Sequence, residues 1–128
     1  MLPRSTISRT ILAASFIAGL ACRYVALDQV TDDTTKFLLP WYEFARSHGL
    51  ASLGHTFTNY TPFYTYLLVA ATTLHGLLEP WHLIKSISFI FEFGCAVIAA
   101  RMVALDESRV HSPSVAFAAV WLAPTVLF

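Results

Sequence analysis

Residues 83–105 read LIKSISFIFEFGCAVIAARMVAL, an apolar run that is long enough to cross a bilayer as a single helix. A second long apolar run, ISRTILAASFIAGLACRYVAL, occupies residues 7–27. Hydrophobic residues make up 56% of the chain and charged residues 12%, which is about half the charged share of a soluble domain. So few charges could not cover a core this apolar with a wet surface. The sequence therefore predicts an all-α membrane protein.

Two shorter apolar runs complete a predicted set of three to four transmembrane helices. They cover residues 62–78, which begin with the aromatic stretch PFYTYLL, and residues 114–128, which are too few for a full crossing. We interpret the first run as a retained span rather than a cleaved signal peptide. Residues 1–128 are thus predicted to form one membrane region, and we expect it to be the front part of a longer protein with further spans.

A polar loop is predicted between the first two spans, at residues 28–61, with the sequence DQVTDDTTKFLLPWYEFARSHGLASLGHTFTNYT. Its aromatic content favours short helices lying at the membrane surface. Pro40 suits the first turn of one helix, and Gly49 suits its end. The residues expected on its apolar face, at helical spacing, are Trp41, Phe44, Ala45 and His48. A separate upstream turn is expected, capped by Asp32 or Asp33.

Basic residues before the first span predict the topology. Arg4 and Arg9 favour a cytoplasmic N-terminus, which puts the 28–61 loop on the extracytoplasmic side of the plasma membrane. Arg23 lies near the far end of the first span, and its long side chain is expected to reach the lipid headgroups. The prediction is a multi-pass protein of the cell membrane whose principal partner is the bilayer. A zero formal net charge without a basic stripe argues against nucleic-acid binding.

The adjacent carboxylates of Asp32 and Asp33 are the first candidate site. They could act as a general base or hold a divalent cation. The alternative is a helix cap with a solvated neighbour. Lys36 could contact a phosphate as a point charge, or it could be an ordinary lysine at the membrane surface. The five histidines show no metal-ligand spacing, so no zinc site is predicted.

Glu92 lies in the middle of the 83–105 run, where an unpaired carboxylate would cost at least a few kcal/mol. It must therefore face other helices or a cavity. It could lie on an ion or proton path, or it could form a hydrogen bond that packs helices together.

The block TDDTTKFLLPWYEFARSHGLASLGHTFTNYTPFYTYLL, followed by IKSISFIFEF, resembles the N-terminal part of bacterial GT-C glycosyltransferases of the mannosyltransferase type. These polytopic enzymes take a sugar from a polyprenyl-phosphate carrier. The matching pattern is an acidic residue after the first span, a "PW" helix, a glycine-containing bend and an aromatic "NYTP" approach to the next span. The resemblance covers most of residues 23–100.

This resemblance implies roles for individual residues. Asp33 aligns best with the family's catalytic base, and Asp32, which stands where relatives carry glycine, is the reserve candidate. The donor would be a lipid-linked sugar. A basic residue would help its phosphate to leave, and Lys36 is available for this, although it matches no position of the family pattern. The residues expected to shape the rim of the site are Trp41, Tyr42, Asn59 and Tyr60. A divalent cation is left open as a cofactor, and the remaining spans of the full-length protein would complete the pocket.

Two alternatives remain at this point. The chain could be part of a transporter or channel that uses Glu92, or a small non-catalytic membrane protein that assembles with partners.

Overall fold

The computed structural model describes residues 4–106 and 112–123. Its α-helices are α1 (Arg4–Leu27), α2 (Leu39–His48), α3 (Pro62–Thr72), α4 (Pro80–Leu105) and α5 (Pro113–Trp121). A π-helical turn, Thr34–Leu38, precedes α2, and a 3₁₀ helix, Gly49–Gly54, follows it. No strand occurs in this described part of the chain, and the all-α prediction is confirmed there.

Two of these helices are long and apolar enough to cross a membrane. They are Thr6–Leu27 and Pro80–Leu105, with mean hydropathies of 1.7 and 1.8. At a rise of 1.5 Å per residue, helices of 24 and 26 residues exceed the hydrocarbon thickness of about 30 Å. The two longest predicted spans, 7–27 and 83–105, therefore correspond to helices of spanning length.

The two shorter predicted spans look different in the structure. The 62–78 run is helical only over Pro62–Thr72, and its 11 residues extend to about half the hydrocarbon thickness. Turns follow it, and Gly76 has a φ of 90°, a conformation in which a side chain would be strained. In the 114–128 run, α5 ends at Trp121, and residues 124–128 lie outside the described residues. A total of three to four spans therefore stays a prediction.

The chain divides into two compact units. The first unit comprises Met1–Ala26 and Phe89–Phe128. Within it α1 and α4 run antiparallel, because the later residues of α1 meet the earlier residues of α4: Arg23 pairs with Glu92, whereas Arg9 shares a groove with Arg101. The buried hydrophobic residues of this unit are Ala96, Phe117 and Trp121.

Close packing of α5 on α1 explains a small residue in the first unit. A Cβ atom added to Gly19 would lie 1.9 Å from Nε1 of Trp121, so the indole occupies the space that a side chain would need. The same Nε1 donates a hydrogen bond of 3.3 Å to the carbonyl oxygen of Phe16. Glycine at position 19 thus lets the Trp121 ring lie directly against the α1 backbone.

The second unit comprises Leu27–Ser88. Its buried core is formed by Tyr42, Ala45, Leu68, Val69, Leu83 and Ile84. The predicted apolar face of α2 is therefore displaced by one position. Tyr42 and Ala45 are fully buried, whereas His48 is exposed. Tyr42 and Ala45 share this core with Leu68 and Val69 of α3, and the spacing of apolar residues does not show which of two neighbouring helix faces will be buried.

The two helical pieces predicted around Pro40 form one continuous stretch over residues 32–48. The N–H of Leu39 donates to the carbonyl oxygen of Thr34, five residues earlier, which widens the turn just before the proline. Proline has no N–H to donate, and its ring would crowd the carbonyl four residues earlier in a regular α-helix. The wider turn accommodates Pro40 in the first turn of α2, and Gly49, with a φ of 54°, ends that helix as predicted.

The predicted aspartate cap is wrong. No cap hydrogen bond is made by the Asp33 side chain. Instead Oγ1 of Thr31 accepts a hydrogen bond of 3.3 Å from the N–H of Thr34. The threonine hydroxyl satisfies this backbone donor in place of a carboxylate, which leaves both aspartates available for other contacts.

Candidate functional site

The two candidate carboxylates differ in their contacts. Both are exposed on the first turn of the 32–48 stretch. Oδ2 of Asp32 lies 2.7 Å from Nζ of Lys36, one helical turn away. The Asp33 carboxylate has no ion pair or hydrogen bond with any residue that the structure describes. Asp33 is therefore the carboxylate whose oxygens remain open to a proton or a ligand, whereas Lys36 is engaged by Asp32.

Two of the four predicted rim residues are in contact. The rings of Trp41 and Tyr60 meet edge to face, with their centroids 5.3 Å apart. Tyr60 also lies 4.8 Å from the ring of Tyr64. Burial, with a smaller contribution from Tyr60, raises the pKa of Tyr64 to about 12. This aromatic group joins the π turn and α2 to the start of α3, since Phe37 lies 5.9 Å from Trp41.

The other two predicted rim residues are not part of this aromatic group. Tyr42 is fully buried, and its hydroxyl lies 3.2 Å from Nδ1 of His75. Burial raises the pKa of Tyr42, and the neighbouring Glu43 adds to that effect. Tyr42 thus belongs to the buried core of the second unit, and a role at the rim of the site stays a prediction for it. Asn59 is exposed, and it makes no hydrogen bond with the described residues.

A small pocket lies next to Tyr60. It encloses about 290 Å³, close to the lower end of the size range of ligand sites. Its lining combines the residues Thr56, Thr58 and Thr65 with the aromatic rings of Tyr60 and Tyr66. Hydroxyl groups next to aromatic faces suit a polar ligand that also has an apolar side, such as a sugar ring.

Glu92 has a partner that sequence reasoning missed. Its Oε2 accepts hydrogen bonds from Nη2 and Nε of Arg23, at 2.9 and 3.1 Å. The predicted extension of Arg23 to the headgroups is wrong, because this side chain is only 3% exposed. It also donates to the carbonyl oxygens of Gly19 and Trp121 and lies over the Trp121 ring at 3.5 Å.

Arg23 turns inward because every part of its guanidinium group finds an acceptor or a ring there. The available signal was Glu92, the one acidic residue in the two longest apolar runs, since a carboxylate inside a membrane span usually pairs with a basic residue such as Arg23.

A second unforeseen group lies between the end of α1 and the start of α4. Nζ of Lys85 donates to the carbonyl oxygens of Leu27, at 3.1 Å, and of Gln29. Nε2 of His82 lies 2.8 Å from Oδ1 of Asp28. A lysine that binds the last free carbonyls of a helix stabilises its negative end. These contacts hold the two chain segments together within the second unit.

The structure offers few ways to hold a metal ion. Over residues 4–106 and 112–123, no group of three or more His, Cys, Asp or Glu side chains could coordinate one. A role for a divalent cation beside Asp33 stays a prediction that would need further oxygen ligands from a substrate or from water.

The comparisons with known proteins do not identify a family. No protein-family model matches this chain, and neither a curated protein nor a solved structure matches it. The functional argument therefore depends on the residues and geometry described above.

Proposed function

We propose that this chain is the membrane-embedded front part of a glycosyltransferase that moves a sugar from a lipid-phosphate carrier to an acceptor hydroxyl. Asp33 is the general base in this proposal. The observation that carries it is the difference between the two carboxylates: Lys36 holds Asp32, whereas Asp33 is exposed and unpaired among the described residues. A general base must be free to accept a proton.

The proposed reaction uses Asp33 in a single displacement. Its carboxylate takes the proton of the acceptor hydroxyl while that oxygen forms a bond to the anomeric carbon of the sugar. The bond between this carbon and the carrier phosphate breaks, and the phosphate leaves with the electron pair. The base needs the hydroxyl within about 3 Å. Lys36 is one turn from Asp32 and could exchange that partner for the leaving phosphate, where a positive charge stabilises the departing group.

The aromatic contact of Trp41 with Tyr60 and the pocket beside Tyr60 support a sugar as the substrate. Both belong to the second unit, as do Asp32 and Asp33. Rings that are held by neighbouring rings lose little conformational freedom on binding, and threonine hydroxyls supply donors and acceptors for a sugar.

The antiparallel course of α1 and α4 supports a revised topology for this proposal. When two antiparallel neighbours both cross a bilayer, the end of the first and the start of the second lie on the same side. Lys85 near the start of α4 contacts the carbonyl oxygens of Leu27 and Gln29, at or just after the end of α1, which agrees with this shared side. Residues 28–79 then remain on one side, and α3, at 11 residues, does not cross. A cytoplasmic N-terminus makes that side extracytoplasmic.

The decisive experiment replaces Asp33 by Asn in the complete membrane protein. Sugar transfer to an acceptor should be abolished, because the amide cannot take the proton, while membrane insertion is unchanged. Asp32→Asn is the matched control: it breaks the contact with Lys36, leaves Asp33 intact and should keep most of the activity. Full activity of the Asp33→Asn protein would exclude the assignment.

A labelling experiment tests the location of the site independently of activity. In a protein with Cys22 and Cys95 replaced by Ala, a cysteine placed at Thr35 should react with a membrane-impermeant maleimide added to intact cells. Reaction only after permeabilisation would put Asp33 on the cytoplasmic side, away from the proposed chemistry.

The transporter or channel alternative has less structural support. Glu92 was its main argument, and the pair with Arg23 gives this carboxylate a structural reason to be buried. A non-catalytic membrane protein would show no sugar transfer even without a substitution, so the same assay also tests that alternative.

A further inference from the structure

A groove in the first unit has no role in the proposed reaction. It encloses about 530 Å³, which falls within the range of roughly 300–1,000 Å³ that is typical of ligand sites. Apolar side chains from α1, α4 and α5 form most of its lining, among them Leu12, Phe16, Phe93, Val97 and Phe117. These three helices therefore form an open apolar groove in the first unit, whose helices α1 and α4 are long enough to span a bilayer.

Two arginines are also among the residues that line this groove. Arg9 comes from the beginning of α1 and Arg101 from the end of α4, and the antiparallel packing brings both to the same groove. Both side chains are exposed. Neither forms an ion pair or a hydrogen bond within the part of the chain that the structure describes. Arg23 of the same unit differs from both, because its side chain is buried and forms an ion pair with Glu92.

This arrangement defines the chemistry of a ligand. Guanidinium groups bind phosphate through paired N–H donors. The apolar lining needs a hydrocarbon chain to cover it. An anionic lipid satisfies both requirements, whereas a soluble phosphate leaves the lining uncovered.

We propose that the groove binds an anionic phospholipid of the surrounding bilayer, with one acyl chain along the apolar lining and the phosphate beside Arg9 and Arg101. Membrane leaflets rich in anionic lipids attract basic groups at helix ends, and basic pockets between transmembrane helices bind such headgroups. The predicted cytoplasmic end of α1, which also carries Arg4, agrees with this location. The proposal does not depend on glycosyl transfer.

Trp121 provides a direct probe of the groove. Its ring lies 6.3 Å from Phe16 and 5.6 Å from Phe93, two of the lining residues. Bromine atoms on an acyl chain quench tryptophan fluorescence at short range. The full chain, with Trp41 and Trp81 replaced by Phe so that Trp121 is its only tryptophan, would be reconstituted in phosphatidylcholine vesicles and titrated with brominated phosphatidylglycerol or, in parallel, with brominated phosphatidylcholine. We expect phosphatidylglycerol to quench at a much lower mole fraction.

The variants separate the charge from the lining. Arg9→Gln and Arg101→Gln should each raise the phosphatidylglycerol fraction needed for half-maximal quenching by about fivefold. Arg46→Gln, which removes a positive charge from the second unit, should leave it unchanged. Ala13→Phe should fill the groove without altering its charge and should remove the quenching by both lipids.

Two results would overturn the proposal. One is an unchanged preference for phosphatidylglycerol in the Arg9→Gln Arg101→Gln double variant. The other is displacement of the brominated lipid by polyprenyl phosphate but not by unlabelled phosphatidylglycerol, which would assign the groove to a carrier lipid instead.

Discussion

The two units of this chain pair opposite charges at nearly the same distance but in different surroundings. In the first unit, Arg23 and Glu92 lie 2.9 Å apart, with side chains only 3% and 18% exposed. In the second unit, Arg46 and Glu43 lie 2.7 Å apart and are 44% and 48% exposed. An exposed pair adds little to stability, whereas breaking a buried pair leaves a charge without water or a partner. Burial, rather than distance, therefore decides which pair the fold depends on.

The largest expected effect comes from removing the buried cation. Arg23→Ala should lower the free energy of unfolding by about 3–5 kcal/mol, because the Glu92 carboxylate is then buried without its partner. Denaturation of the purified protein in mixed micelles, followed by circular dichroism, would measure it. The matched variant Arg46→Ala should cost less than about 1 kcal/mol.

A double variant sharpens this comparison. Arg23→Met with Glu92→Leu should be less destabilising than Arg23→Ala alone, since no uncompensated charge remains. Equal losses for Arg23→Ala and Arg46→Ala would show that the two environments do not differ in the way the exposures indicate.

The next largest effect concerns packing in the first unit. Gly19→Ala should destabilise the protein by about 1–3 kcal/mol, because the new Cβ would lie 1.9 Å from Nε1 of Trp121 and force the indole to move. Gly94→Ala is the control on α4, where an added Cβ meets no atom within 4 Å. It should stabilise the helix by up to about 1 kcal/mol. The same denaturation assay applies, and destabilisation by both variants to the same extent would contradict this reading.

A smaller effect is expected in the core of the second unit. Tyr42→Phe keeps the buried ring but removes the hydroxyl that contacts Nδ1 of His75, and it should cost about 1 kcal/mol. Tyr66→Phe, at a ring that is 57% exposed, should change stability very little. Thermal unfolding of both variants tests this. A loss of stability in Tyr66→Phe but not in Tyr42→Phe would contradict a stabilising role for the Tyr42 hydroxyl.

The smallest effect is a response to alkaline pH. Burial raises the pKa of Tyr64 to about 12, so its neutral form is favoured by folding. The resulting stabilisation is complete below the unfolded pKa of about 10 and is lost as the pH rises through 12. Because burial also raises the pKa of Tyr42, the comparison is made in a Tyr42→Phe background, where phenolate absorbance should show a late step that Tyr64→Phe removes. A titration that is complete near pH 10 in the folded protein would refute the assignment.

Much of the fold follows from hydrophobic length and local signals. The long runs 7–27 and 83–105 correspond to the long helices, and Pro40 and Gly49 mark the beginning and end of α2 as predicted. These signals are local, since each depends on residues within a few turns. The 62–78 run stays a predicted span, because hydropathy cannot distinguish a short apolar helix that packs in a core from one that crosses lipid. In the structure, Leu68 and Val69 of this run share a buried core with residues of α2 and α4.

The site was less predictable, because most of its contacts join residues far apart in the chain. Lys36 is four residues from Asp32 and three from Asp33, and both spacings bring side chains together on a helix, so spacing alone did not decide between them. It also could not show that Tyr42 would be buried while its neighbour Trp41 meets Tyr60. The prediction for Arg23 differed most from the structure. A long side chain near a helix end can reach either headgroups or a buried acid, and the choice depends on Glu92, 69 residues later.

That separation has a consequence for how the protein is made. The ribosome completes α1 well before the codon for Glu92, and at roughly 5–20 residues per second the delay is about 3–14 s. During this time the Arg23 guanidinium has neither its acid nor the Trp121 carbonyl. The first helix therefore gains its buried ion pair and its contact with Trp121 only after α4 and α5 have been synthesised.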